Sequence, residues 1–210
     1  MGSATGDSDE KPVTRVTISR NYWLGKTEVT QGQWSAVMGS NPSHFKGENL
    51  PVENVSREEA MAFCRKLTER ERSGGRLPEG YEYTLPTEAQ WEYACRAGTT
   101  GDYAGSLDAM GWYDSNSGSK THPVGQKEAN AWGLSDMHGN VWEWCSDWYG
   151  AYPGGSITDP TGPASGTNRV DRGGSWNRTA ANCRSAYRGR YSPGLRNLNL
   201  GFRLALSAVR

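Results

Sequence analysis

Three stretches of the chain combine a helix-start signal with apolar residues at helical spacing. The start signal is a capping box, a Ser or Thr followed three residues later by Glu or Gln, and it occurs at Thr30, Ser56 and Thr87. Apolar residues then recur at i, i+3, i+4 and i+7 of one face, most clearly between residues 60 and 67. A glycine follows each stretch, as is typical of helix ends. The pattern predicts three helices.

Shorter alternating runs predict β-strands over residues 12–24, 169–176 and 199–206. A dense aromatic run from Val141 to Trp148 is also strand-like, and its bulk marks the centre of the core. Residues 99–135 are rich in Gly, Asn, Asp and Ser, which predicts loops. The aromatic residues among them indicate that these loops are ordered.

The composition argues against a helical bundle and against a membrane protein. The chain has 27 Gly and 9 Trp but only 3 Phe, and Gly destabilises a helix interior by about 1 kcal/mol per site. A mean hydropathy of −0.78 and the lack of a long apolar run exclude a transmembrane helix. Because 23 basic residues balance 23 acidic ones, we expect no nucleic-acid partner. Residues 1–12 are small and acidic, and we expect a flexible tail there rather than a signal peptide.

The charge is unevenly distributed although it sums to zero. Residues 169–210 contain nine arginines and one acid, Asp171, so they carry +8 and residues 1–168 carry −8. One interpretation is a basic C-terminal layer docked on an acidic body, because buried Arg is normally paired. The other is an anion-binding surface built from these arginines with Tyr187 and Tyr191.

The four cysteines do not form a recognisable metal or disulfide pattern. Cys64, Cys95, Cys145 and Cys183 are 31, 50 and 38 residues apart, without a Cys-x-x-Cys pair. We therefore expect reduced, buried thiols, which favours a cytoplasmic location.

Four segments, in this order, resemble the formylglycine-generating enzyme (sulfatase-modifying factor) family. They are GKTEVT at 25–30, LPTEAQWEYACR at 85–96, GLSDMHGNVWEW at 133–144, and RGGSW at 172–176 with LGFR at 200–203. The resemblance implies an α+β, loop-rich, C-type-lectin-like fold with few helices and small antiparallel sheets. It implies a single domain over residues 13–207.

The enzymes of this family oxidise a substrate cysteine with copper(I) and oxygen, using two cysteines after the Gly-Gly-Ser motif. Here the second of these matches Cys183, whereas the first falls on Arg178. Two soft thiolates suit copper(I), and Arg cannot replace one. The partners of Cys64 and Cys95 in the family's disulfides fall on Leu204 and Arg188. We therefore expect a protein that is not an enzyme, and copper is expected only under the oxidase alternative.

The resemblance also implies a structural calcium ion. Asp136 and Glu143 match the family's side-chain ligands, and Gly139 and Val141 match its carbonyl ligands. The alternative is that Asp136 and Glu143 are caps or partners of arginine.

Residues 177–199 resemble the variable region of proteins diversified by bacterial diversity-generating retroelements, in which template adenines are mutagenised. The positions expected to vary are Asn177, Arg178, Thr179, Tyr187, Gly189, Arg190, Tyr191, Ser192, Leu195, Asn197, Leu198 and Asn199. Every residue at these positions is either Asn or reachable from the Asn codon AAC by changing adenines alone.

The segment predicts a receptor-like surface for a protein or other macromolecular ligand. Arg178, Tyr187, Arg190 and Tyr191 would be its anchors, because Tyr and Arg supply large, well-ordered contact areas. Three alternatives remain at this point: a copper-dependent formylglycine-generating oxidase, a solvated loop on a degenerate homologue, and a structural or assembly domain.

Overall fold

Each predicted capping box begins a helix in the structure, a computed structural model that describes residues 1–209. At Thr30, Ser56 and Thr87, the cap side chain accepts a hydrogen bond from the backbone N–H of the third helical residue. The side chain of that third residue accepts a hydrogen bond from the backbone N–H of the cap. The helices within the described chain are α1 (Gln31–Met38), α2 (Arg57–Ser73), α3 (Glu88–Arg96) and α4 (Leu107–Met110). Among residues 1–209, the helices are too short or too polar to cross a bilayer.

The strands are short and belong to four small sheets. They are β1 (Arg15–Thr17), β2 (Tyr22–Leu24), β3 (Tyr81–Thr84), β4 (Gly111–Trp112), β5 (His138–Gly139), β6 (Trp142–Trp148), β7 (Ser156–Thr158), β8 (Arg169–Arg172), β9 (Gly189–Tyr191), β10 (Leu200–Gly201) and β11 (Ala205–Ala208). The largest sheet has the order β10-β6-β8-β9, and a second has the order β2-β11-β3. The pairs β1–β7, β4–β5 and β6–β10 are parallel, so the expectation of antiparallel sheets holds only in part.

The aromatic run lies at the centre, as the sequence indicates. Strand β6 pairs with β8 on one side and β10 on the other, and Trp144 is fully buried. The largest cluster of apolar side chains fills the space between this sheet and helices α1 and α2. There Trp34 stacks on Phe63 with ring centres 5.5 Å apart.

All three predicted alternating strands are interrupted. Residues 12–24 form β1 and β2 in different sheets, because the chain bends at Ser19, whose backbone N–H donates to the Asp159 carboxylate at 2.8 Å. Residues 199–206 likewise form β10 and the start of β11, which belong to different sheets. Strand β8 ends at Arg172 because Gly173 and Gly174 adopt left-handed conformations, with φ of 97° and 77°.

The N-terminal segment is packed against the body, which corrects the prediction of a flexible tail. Glu10 is fully buried and accepts from both terminal nitrogens of Arg184, at 2.9 and 2.6 Å. The Asp9 carbonyl accepts from Arg188 at 2.9 Å. The tail was predicted from its polar composition, but its acids are the partners of C-terminal arginines.

The basic C-terminal layer docks on acidic residues of the body, as the first interpretation of the charge distribution predicts. Buried ion pairs join Arg172 to Glu92 at 2.5 Å and Arg203 to Glu143 at 2.7 Å. Arg188 likewise pairs with Glu88 at 2.6 Å. The pairs of Arg172 and Arg188 join β8 and the residue before β9 to helix α3, and the pair of Arg203 joins the chain after β10 to β6.

Candidate ligand-binding site

The predicted variable segment, residues 177–199, is held at both ends by a tightly packed frame. We use the word frame for the residues within and around the segment that are not expected to vary or are buried, among them Arg172, Ser175, Cys183, Arg188 and Asn199. At its start, Ser175 is fully buried and the backbone of Trp176 donates to the Asn140 carbonyl at 2.8 Å. A Cβ added at Gly174 would lie 2.4 Å from the Cys183 sulfur, so this turn has no room for a side chain. In its middle the segment forms β9, which pairs with β8.

The structure places most of the predicted variable residues at the surface. The exposed ones are Asn177, Arg178, Thr179, Arg190 and Ser192. Half-buried are Tyr187, Gly189, Tyr191, Leu195, Asn197 and Leu198. Leu195 packs against the main apolar cluster, and the Leu198 carbonyl accepts from the Trp176 indole at 3.2 Å. These two residues therefore also support the frame.

Asn199 is the exception, and its assignment as a ligand-contacting residue is wrong. Only 1% of it is exposed, and its side-chain amide donates to Asn177 at 2.8 Å and to Ser175 at 3.3 Å. Its backbone carbonyl accepts from Trp142 at 2.8 Å. Asn199 belongs to the frame because it lies directly before β10, which is buried beside β6.

A pocket of about 310 Å³, the β8–β9 pocket, opens beside the variable segment. Five predicted variable residues line it: Arg178, Tyr187, Gly189, Arg190 and Tyr191. Its remaining lining comes from the frame and the N-terminal segment: Asp9, Trp142, Asp171, Asn182 and Arg188. The chain thus brings together the four anchors that the sequence singled out.

Each of the four anchors has an aromatic contact or a hydrogen bond within the chain. The Tyr187 ring lies 5.9 Å from the Trp142 ring, and the Tyr191 ring 6.4 Å from the Trp144 ring. Arg178 donates to the Tyr191 hydroxyl at 3.4 Å. The Arg190 guanidinium lies 4.8 Å from the centre of the Tyr149 ring. The two tyrosines are therefore held against buried rings before a ligand arrives, which lowers the entropy they lose on binding.

The frame residues Trp142, Asp171 and Asp9 line the pocket, but sequence reasoning did not assign them to it. Asp171 carried one usable signal, since it is the single acid in a strongly basic segment. The sequence predicts that Trp142 is a core residue and that Asp9 lies in a flexible segment. Their convergence depends on contacts between distant parts of the chain.

The residues present do not fit a two-thiolate copper site. Cys183 is fully buried, and burial raises the pKa of its thiol to about 12, so it is protonated at neutral pH. Arg178 is exposed at the pocket instead of supplying a second thiolate. All four cysteines are unpaired, and residues 1–209 contain no group of three His, Cys, Asp or Glu side chains placed to hold a metal.

The predicted calcium ligands differ in how well they suit an ion. Asp136 fits, because its Oδ1 is buried and no residue within 1–209 donates to it, while its Oδ2 accepts from Gly125 at 2.7 Å. Glu143 does not fit, because Arg203 and Trp91 already donate to its two oxygens at 2.6 to 2.7 Å. Calcium binding stays a prediction that rests on Asp136 and the carbonyls of Gly139 and Val141.

Comparison with known proteins assigns the family. The sequence matches the Sulfatase-modifying factor enzyme 1-like domain over residues 1–208. The chain belongs to this family. It is 34% identical to the formylglycine-generating enzyme of Mus musculus across 88% of this chain, and it spans only 50% of that enzyme's length. It is also 34% identical to the chaperone protein LppX of Paenibacillus barcinonensis, across 84% of this chain and 76% of that protein.

Several solved structures share the fold. Variable protein 1 of Treponema denticola is 40% identical, with a TM-score of 0.82 over 88% of this chain and 84% of that one. PvdO from Pseudomonas aeruginosa has a TM-score of 0.83 at 24% identity, over 99% of this chain and 90% of that one. The U1 variant of the Major Tropism Determinant has a TM-score of 0.51 at 14% identity, over 90% of this chain and 51% of that one. These likenesses confirm the predicted fold class and the resemblance to variable proteins, whereas function has to be argued from the site.

Proposed function

We propose that this chain is a non-catalytic binding protein of a diversity-generating retroelement, with the variable segment as its recognition surface. One observation carries the proposal: five of the predicted variable positions converge on a single pocket whose base consists of buried frame residues. A surface that varies between copies of the gene needs this separation, because the frame has to fold whatever residues the surface carries. The expected ligand is a protein or another macromolecule.

The chemistry of the pocket supports a binding role. Tyr and Arg are enriched among the residues that supply most of the binding energy at protein interfaces, and two tyrosines and two arginines at predicted variable positions line the pocket. Ser, Gly and Asn around them are typical of adaptable paratopes. Likeness to a variable protein at 40% identity supports the same role for this chain.

The experiment that tests the proposal is amplicon sequencing of the 3′ end of the gene, with its flanking DNA, across the source population. We expect variation confined to the predicted variable codons and an adenine-rich near-copy of the segment close to the gene. A fixed segment without such a copy would contradict the proposal and would leave a degenerate or altered family member.

Kinship to the formylglycine-generating enzymes makes copper-dependent oxidation the second candidate. The buried, protonated Cys183 and the arginine at position 178 argue against it. An assay of a Cys-x-Pro-x-Arg peptide with copper and oxygen separates the two functions. The binding proposal predicts an unchanged peptide mass, whereas conversion of the cysteine to the aldehyde would establish the oxidase.

A further inference from the structure

Asp171 presents an unpaired carboxylate at the base of the β8–β9 pocket. The residue is fully buried and lines the pocket. Neither of its oxygens accepts a hydrogen bond from any residue in the described part of the chain. A buried acceptor without a partner is strongly unfavourable, more so for a charged group, so the site is incomplete without a donor.

The nearby arginines do not complete it, because none of them donates a hydrogen bond to it, although Nε of Arg172 is also without a partner among residues 1–209. Arg172 donates to Glu92 and to the carbonyls of Ser185, Ala186 and Tyr187, at 2.5 to 2.8 Å. Arg188 donates with two nitrogens to Glu88, at 2.6 and 2.8 Å. Arg178 contacts the Tyr191 hydroxyl, and Arg190 lies over the Tyr149 ring.

The residue at position 189 controls whether the carboxylate stays in this place. Gly189 and Asp171 are directly opposite each other in the β8–β9 pair. A Cβ added at Gly189 would lie 2.0 Å from Oδ1 of Asp171, well inside contact distance. Position 189 is one of the predicted variable positions. Glycine at this position leaves the Asp171 carboxylate undisturbed beside the pocket, whereas a larger residue would displace it.

We propose that the β8–β9 pocket binds a basic side chain of a protein partner and that Asp171 forms the ion pair with it. A guanidinium group matches both oxygens of a carboxylate with two parallel hydrogen bonds. The rings of Trp142, Tyr187 and Tyr191 line the same pocket and attract a cation. The inference rests on the proposed binding function and names its ligand.

The charges around the pocket specify the neighbours of that basic side chain. Arg188 is neutralised by Glu88, whereas Arg178 and Arg190 remain as exposed cations. These two would repel an isolated cation but pair with acidic residues beside it. The ligand is therefore a basic residue with acidic residues on either side.

The test uses two peptides that differ in one charge: acetyl-Glu-Arg-Glu-amide, and the same peptide with neutral citrulline in place of arginine. Binding to the whole chain is measured by isothermal titration calorimetry. We expect the arginine peptide to bind at least about tenfold more tightly than the citrulline peptide. Asp171→Asn, which keeps the shape and removes the charge, is expected to abolish that preference.

A matched pair of glycine variants tests the role of position 189. Gly189→Ala should displace the Asp171 carboxylate and weaken binding of the arginine peptide by about tenfold or more. Gly194→Ala is the control, because an added Cβ at Gly194 meets no atom within 4 Å and its φ is not in the left-handed region. We expect Gly194→Ala to bind as the unmodified chain does.

Three results would overturn the inference: equal affinity for the two peptides, full affinity in Asp171→Asn, or no binding of either peptide at millimolar concentration. The proposed function is judged separately, by variation of the gene segment. If that variation is found while Asp171→Asn binds normally, the binding function stands and the assignment of the ligand fails.

Discussion

Arginines a few positions apart in the C-terminal part of the chain have two different environments. Arg172, Arg188 and Arg203 are buried, and each pairs with a carboxylate of the body. Arg178 and Arg190 are exposed at the pocket, and the structure shows neither in a salt bridge with an acid of residues 1–209. The same residue type therefore stabilises the frame in one set and is available to a ligand in the other.

The difference teaches that the basic character of this segment has two physical origins. Burial of a guanidinium requires a paired carboxylate, so the buried arginines follow from the fold. An exposed arginine contributes little to folding, so under the proposed function Arg178 and Arg190 are available to contact a ligand. The first interpretation of the charge distribution is confirmed for the buried arginines, whereas an anion-binding surface built from the exposed ones stays a prediction.

The largest expected effect comes from removing a buried arginine. In Arg203→Met the Glu143 carboxylate would keep only the Trp91 indole as a donor. We expect the free energy of unfolding to fall by about 3–5 kcal/mol, because an uncompensated charge remains buried. Urea denaturation measures this. Arg178→Ala is the control from the exposed set and should leave the unfolding midpoint unchanged; similar losses in both variants would abolish the distinction.

Asn199→Ala tests where the frame ends and the variable surface begins. Its side chain supports Ser175 and Asn177 from a buried position. We expect a loss of about 1–2 kcal/mol in the free energy of unfolding, the usual effect of removing buried hydrogen bonds. Ser192→Ala, at an exposed position of the same segment, should have no measurable effect. If Asn199→Ala also leaves the free energy of unfolding unchanged, Asn199 is not part of the frame and belongs to the variable surface.

Asp171→Asn is expected to increase the stability of the folded protein, by less than the two preceding variants decrease it. Burial raises the pKa of Asp171 in the folded protein well above its usual range. The folded state thus gains stability from protonated Asp171 at low pH and loses it as the pH rises through the folded pKa. Without ligand, the variant should therefore have a higher thermal midpoint than the unmodified chain at neutral pH, with the difference shrinking towards pH 4. A lower midpoint at neutral pH would mean that Asp171 stabilises the frame.

The smallest effect is expected from calcium removal. If the buried Oδ1 of Asp136 binds the ion, EGTA should lower the thermal midpoint, because a ligand of the folded state stabilises it. Asp136→Asn should show no further response to EGTA. An unchanged midpoint in the unmodified chain would remove the calcium prediction.

The sequence predicted the features that depend on neighbouring residues. Capping boxes are local signals, so the starts of α1, α2 and α3 were found correctly. The aromatic bulk of residues 141–148 located the centre of the core. The four anchors of the pocket were also named from the sequence, through the resemblance to variable regions.

The features that were missed depend on contacts between distant residues. The position of Asp171 beside the pocket follows from its pairing with Gly189 across β8 and β9, and that register has no local signature. The N-terminal segment is ordered by Arg184 and Arg188, more than 170 positions away. Asn199 resembles its exposed neighbours in sequence, and only the burial of β10 beside β6 makes it part of the frame.

The central claim is that a rigid frame carries a surface free to vary, and two matched libraries test it most directly. One library randomises the exposed positions Asn177, Arg178, Thr179, Arg190 and Ser192. The other randomises the buried positions Arg172, Ser175, Cys183, Arg188 and Asn199. The measurement is the fraction of displayed variants that resist proteolysis. The account predicts that most members of the first library fold and few of the second do; equal fractions would contradict it.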